Sequence, residues 1–177
     1  MATTKWILDP THSEIQFKIR HLMITHVTGS FSKFSADVET DGENFETARI
    51  SFAAEVDSIT TNNEQRDGHL KSADFFESSK HPKLTFVSAK LERVTGEEYS
   101  LTGAMSFHGV TKNIKLHVEH GGVIKDPWGN TRTGFTIEGK INRKDFGLVW
   151  NAATEAGGVV LSDDVKIHAS AEFVKQV

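Results

Sequence analysis

The sequence predicts an all-β fold, an antiparallel barrel or sandwich of about eight strands, and three observations carry that prediction. Segment after segment alternates apolar and polar residues with a period of two. The links between segments are short and rich in turn residues, which favours antiparallel neighbours. Two stretches, near 63–76 and 143–151, break the alternation for long and are expected as short helical excursions.

In chain order, Trp6 to Asp9 opens a strand that Pro10 bends. From Ser13, Ile15, Phe17, Ile19 and His21 share one face while Glu14, Gln16, Lys18 and Arg20 take the other. His26 to Thr40 is the next strand, but Phe31 is out of phase with Phe34, Ala36 and Val38, so a bulge is expected near Ser32 and Lys33. Asp41-Gly42 is a turn, after which Ala48, Ile50, Phe52, Ala54 and Val56 align. Leu84 to Arg93 resumes the alternation with two possible phases at Phe86-Val87. Thr95 to Glu98 turns the chain, and Tyr99, Leu101, Gly103, Met105 and Phe107 then share a face. His108-Gly109 reverses into a strand carrying Ile114, Leu116 and Val118. Gly121 to Asn130 is expected as a loop from its glycines and Asp126-Pro127. Thr133, Phe135, Ile137, Gly139 and Ile141 align next, and Val165, Ile167, Ala169, Ala171 and Phe173 line the closing strand.

Between the third and fourth of these strands, Asn62 to Phe86 reads NNEQRDGHLKSADFFESSKHPKLTF. Glu64 to Asp74 has no β-branched residue, and Leu70, Phe75 and Phe76 stand apolar among charges, which describes a cap over one barrel end. Long excursions in compact domains tend to be lids or binding loops, though a passive plug has the same composition. The second excursion, Asn142 to Ser162, holds Phe146, Gly147, Trp150 and the pair Gly157-Gly158.

At 177 residues the chain is expected to form one domain over 1–177. A net charge of −4 argues against nucleic acid as a partner, because phosphate binding needs concentrated positive charge. Without cysteine there is neither a disulfide framework nor thiolate chemistry. MATTKWILDP has no apolar run of signal-peptide length, so the chain as written is expected to be cytoplasmic, with the periplasm as the alternative had a leader been removed. No segment reaches membrane-spanning length, so no stable insertion is expected.

The inward faces leave two fillings open. Phe17, Phe52, Phe107, Phe135 and Phe173 are large, whereas Ala48, Ala54, Gly103, Gly139, Ala169 and Ala171 are very small. An eight-stranded barrel is just filled by side chains or holds one small ligand. Small residues on several strands either line an apolar tunnel or interdigitate with the large ones.

Chemistry has weaker signals. None of the nine histidines sits in HExxH or a comparable metal spacing; His117 and His120 fall on opposite strand faces, and His69, His81 and His108 stand alone, so no metal is expected. Asp67, His69 and Ser72 are close in sequence, but no GxSxG elbow or oxyanion hole accompanies them, and no enzyme is expected. Arg66-Asp67 and Arg143-Lys144-Asp145 read as local ion pairs pinning the two excursions.

The ordered set WILDPTHSEIQFKIRHLMITHVTGSF, NNEQRDGHLKSADFFESSKHPKLTF, LTGAMSFHGVTKNIKL, GFTIEGKINRKDFGLVW and DDVKIHASAEF resembles the YceI-like, polyisoprenoid-binding proteins from Trp6 to Phe173. The resemblance implies a lipocalin-like, eight-stranded antiparallel barrel that holds a long isoprenoid or related amphiphilic lipid in its interior for transport or storage. It implies a homodimer, and no cofactor beyond the bound polyisoprenoid. A fatty-acid or quinone carrier on the same barrel is the main alternative; a lipid head-group enzyme using His69 or His108 as base is the remoter one. The residues assigned to the lipid are Phe17, Ile19, Phe31 and Phe34 from the first strands, then Ile50 and Phe52, with Leu70, Phe75 and Phe76 from the cap. Phe86, Met105 and Phe107 follow, and Phe135, Ile137, Phe146 and Ile167 complete the set.

Overall fold

Alternation this persistent gives each strand one apolar face, and the geometry that buries eight such faces without a free sheet edge is a closed ring. The computed structural model describes residues 2–152 and 160–176. Its strand segments are β1 (Thr3–Leu8), β2 (Glu14–His21), β3 (Thr25–Phe31), β4 (Phe34–Asp41), β5 (Asn44–Glu55) and β6 (Ile59–Thr60). After the helix α1 (Glu64–Lys71) come β7 (Lys83–Thr95), β8 (Glu98–Phe107), β9 (Val110–Lys125), β10 (Thr131–Asn142) and β11 (Leu161–Lys175).

These segments compose eight strands, because three strands are interrupted. Pro10 separates β1 from β2, Ser32-Lys33 separates β3 from β4, and a 3-10 turn at Val56–Ser58 separates β5 from β6. Each interrupted strand keeps its neighbours on both sides of the break: β1 pairs with β4 and β2 with β3, while β4 pairs with β5 and β3 with β6. The meander continues β5-β7-β8-β9-β10-β11, and β11 closes the ring by pairing with both β2 and β1. All pairs are antiparallel, so the fold is the eight-stranded lipocalin-like barrel expected. The break at Ser32-Lys33 lets Phe31 and Phe34 both face inward, as the bulge reading required.

Two boundaries differ from expectation, and one phase left open is settled. Gly121 to Asn130 is not all loop: β9 runs on to Lys125, and the reversal is confined to 126–130. The two glycines form a bulge, since Phe135 pairs with His120 but Thr133 pairs with Val123, and Gly122 has φ 101°. The phase at Phe86-Val87 is settled by another irregularity between Ser88 and Lys90, which leaves Leu84, Phe86 and Leu91 inside and Val87 exposed. Among the described residues of the second excursion, only Arg143–Phe146 is helical, as a 3-10 turn; Gly157-Gly158 lie outside the described residues.

The direction of the strands defines two ends. The lower end carries the β4–β5, β7–β8 and β9–β10 hairpins, and the upper end carries α1, the β2–β3 and β8–β9 turns and the Arg143–Phe146 turn. The lower half is filled by rings. Phe45 lies 5.3 Å from Trp6, 4.7 Å from His120 and 5.3 Å from Phe135, and His120 stacks on Phe135 at 4.8 Å. Trp6 Nε1 donates to the buried Thr40 Oγ1 at 3.1 Å. Outside this plug, Arg132 bonds Asp9, Asp126 and Glu172 at 2.7–2.9 Å, tying the Pro10 kink to the β9–β10 hairpin and β11.

Candidate functional site

The upper half is hollow. Above the aromatic plug the inward faces enclose an apolar cavity of about 390 Å³, floored by Leu8 and Phe173 and roofed by Leu70, Phe75 and Phe76. The roof follows from local chemistry. Asn63 caps α1 by accepting from the Arg66 amide at 3.0 Å, and the turn after Lys71 folds back so that the Phe76 amide donates to the Leu70 carbonyl. That reversal drops Phe75 and Phe76 into the barrel, where Phe76 meets Phe31 and Phe107 at 6.2 and 5.6 Å.

Of the residues assigned from sequence, Phe17, Ile19, Phe31, Phe34, Ile50, Phe52 and Phe86 line this cavity from the barrel wall. Met105, Phe107, Ile137 and Ile167 line it too, with Leu70, Phe75 and Phe76 above. Two of the assigned residues do not line it. Phe135 faces inward but sits a level too low, in the plug with Phe45 and His120. Phe146 stacks on Phe107 at 4.2 Å and is sealed from the cavity at 1% exposure. Leu84, Leu101, Ile114 and Leu116 also line the cavity; they follow the same alternation and were legible by it.

The small residues divide between the two fillings. An added Cβ at Gly29 would meet the Phe17 ring at 2.2 Å, at Gly103 the Phe86 ring at 2.5 Å, and at Gly139 Leu116 Cδ2 at 2.3 Å. These glycines therefore interdigitate with large neighbours and hollow nothing. Ala169 and Ala171 on β11 are different: both line the open space.

Polar atoms enter the lining at the upper end. Arg143 is 2% exposed; Nε donates to the Ser162 carbonyl, and Nη1 donates to those of Leu148 and Trp150. Nη2 is buried and has no partner among the described residues, and burial lowers the guanidinium's pKa from its usual value. Lys144 meets Asp163 at 3.2 Å and Arg143 donates to backbone carbonyls, in place of the local ion pairs expected within 143–145. Nor do Arg66 and Asp67 pair with each other: Arg66 donates to the Thr61 hydroxyl and carbonyl at 2.8 Å, while Asp67 accepts from the Thr61 amide and hydroxyl. The trio Asp67, His69 and Ser72 is likewise dispersed. His69 Nε2 is bonded to Asp74 at 2.8 Å and its ring meets Phe75 and Trp150 edge-on, while Ser72 Oγ donates to the His69 carbonyl. No hydroxyl is set against an imidazole nitrogen there, as nucleophilic catalysis requires.

The YceI-like domain family matches residues 6–173. The chain belongs to the YceI-like family. A UPF0312 protein of Staphylococcus aureus (strain MSSA476) is 41% identical over 171 residues, covering 96% of this chain and 97% of its own. The solved YceI protein of Campylobacter jejuni superposes with TM-score 0.78 at 34% identity, over 89% of this chain and 90% of that one. A polyisoprenoid binding domain from Saccharophagus degradans shares the fold, with TM-score 0.68 at 17% identity over 97% and 98% of the two chains. A YceI-like barrel in this chain thus comes with a closed floor, a capped roof and an apolar chamber between them.

Proposed function

We propose that this YceI-like protein binds a long-chain isoprenoid or related amphiphilic lipid, with the tail in the upper chamber and the polar end beside Arg66, His69 and Arg143. The chamber carries the reading: about 390 Å³ of apolar space lies within the range of small-molecule sites. The S. degradans relative, named for polyisoprenoid binding, supports the same cargo class. Burying a methylene is worth about 0.8 kcal/mol, so each five-carbon unit contributes roughly 3–4 kcal/mol gross. Association costs on the order of 4–15 kcal/mol, which several units offset without an ion pair or metal. Binding rather than turnover is the role, and carriage or storage follows from it. The homodimer and the cytoplasmic location belong to this proposal as well, and are read by light scattering and cell fractionation.

Native mass spectrometry on protein stripped by organic extraction and re-exposed to a polyprenyl lipid tests the reading. A one-to-one adduct is expected; no uptake of polyprenyl or acyl chains overturns it. A second reading, a fatty-acid carrier, is favoured by Nη2 of buried Arg143, which has no partner among the described residues and suits a carboxylate. Competition between a fatty acid and a neutral polyprenol for the same chamber separates the two. No lipid turnover, together with unchanged binding in His69→Ala and His108→Ala variants, disposes of the head-group enzyme.

A further inference from the structure

Histidines that stand alone in the sequence do not all stand alone in the fold. His81, in the turn between the cap and β7, and His108, in the β8–β9 turn, lie with ring centroids 5.2 Å apart. Glu77 joins them, and one ligand atom from each of the three falls within 4.8 Å of the others, all partly buried. We propose that Glu77, His81 and His108 form a binding site for an imidazole-preferring divalent transition metal such as Zn²⁺.

Three observations beyond proximity support the site. First, His108 Nδ1 lies 2.9 Å from the Phe146 carbonyl, which only accepts. Nδ1 must therefore carry the proton, and Nε2 is left with its lone pair. A backbone carbonyl that fixes the tautomer in this way is the usual outer partner of a metal-binding imidazole. Second, both rings are seated closely against glycines: a Cβ built on Gly109 would lie 2.9 Å from His81 Cε1, and one on Gly147 3.0 Å from His108 Nδ1. Third, Glu77 and His108 sit on left-handed backbone at φ 48° and 55°, which non-glycine residues adopt at a cost and which gathers at functional positions.

Two imidazoles and a carboxylate match the three-ligand zinc pattern that leaves a fourth position open. Lys80 is the present partner of Glu77, at 3.0 Å and largely exposed, so the metal displaces a weak surface pair. The other grouping of this kind among the described residues, Asp9, His12 and Glu172, is different because the Arg132 guanidinium already occupies its carboxylates. The proposed site joins the cap that carries Phe75 and Phe76 to the β8–β9 turn, so the ion staples the chamber's roof to its wall. The assignment does not rest on the lipid reading.

The test is calorimetric titration of ZnCl₂ into the chelator-treated full chain, with Co²⁺ absorption reporting coordination. One ion per chain and the visible bands of low-symmetry Co²⁺ are expected. His81→Phe keeps the ring on Gly109, and His108→Asn tolerates the left-handed turn; each should weaken Zn²⁺ by at least the ~10- to 100-fold that loss of an outer-shell partner costs. His12→Ala should leave the affinity unchanged. Absence of Zn²⁺ binding, or equal affinity in the wild type and in folded His81→Phe and His108→Asn, overturns the proposal.

Discussion

The two halves of this barrel are made from the same strands and the same alternation, yet one is solid and the other open. In the lower half Trp6, Phe45, Tyr99, His120 and Phe135 come from different strands and meet at one level. In the upper half the phenylalanines stand around the wall, and β11 contributes Ala169 and Ala171 where a large residue would close the space. Hollowness here is a matter of axial height. A ring facing inward plugs the barrel when its neighbours reach the same level, and lines a chamber when an alanine faces it. The plug stabilises the ring of strands so that the chamber need not.

That contrast is broken most strongly by removing a ring from each half. Trp6→Ala takes out a side chain 1% exposed and leaves the Thr40 hydroxyl without its donor, so it should cost about 3–5 kcal/mol. Phe52→Ala removes a half-buried ring already facing open space and should cost roughly 1–2 kcal/mol. Urea denaturation reads both; equal losses would mean that the halves do not divide the work. The reverse substitution sharpens the point. Ala169→Phe places a ring in the chamber and should reduce lipid uptake at least tenfold with an undiminished denaturation midpoint. Ala48→Phe, directed at the filled half, should cost about 1–3 kcal/mol through overpacking and leave uptake nearly intact.

What could be read from the chain divides along the same line. Facing direction was legible: the period-two pattern identified the eight strands, and residues such as Tyr99, Leu101, Met105 and Phe107 fall on the inward face as their spacing required. Height was not, because it depends on the register between strands, and register is fixed by bulges such as those at Gly121-Gly122 and after Ser88. Hence Phe135 faces inward as its spacing predicts but lies at the level of the plug. The distance of Phe135 from the β9–β10 reversal is the signal that identifies it with the lower end. Arg143 was legible as a landmark but not as a carbonyl clamp, since its three partners are backbone atoms and leave no mark on residue identity. His81 and His108 meet only because the cap folds back onto the β8–β9 turn.

The smallest effect separates the halves by pH. His120 is the one histidine inside the plug: Thr133 Oγ1 donates to the Gly122 carbonyl at 2.8 Å, so it accepts from His120 Nε2 at 2.7 Å, and Nε2 carries the proton. Burial lowers the imidazole's pKa below its usual 6.5, although Glu97 at 3.3 Å from Nδ1 pulls it upward. The unfolded chain therefore binds this proton more readily than the folded one. Its contribution to stability is complete above pH 6.5 and is lost as the pH falls from there toward the lowered folded value. His12, on the outer surface, has the opposite sign: the hydrogen bond to Asp9 raises its pKa, so it favours the folded state on acidification. Denaturation midpoints of the wild type should thus fall less steeply than His120 alone dictates, and the His120→Gln variant should lose the downward component and keep the upward one. An unchanged pH slope in that variant would place the acid sensitivity outside the plug and overturn the assignment of the downward component to His120.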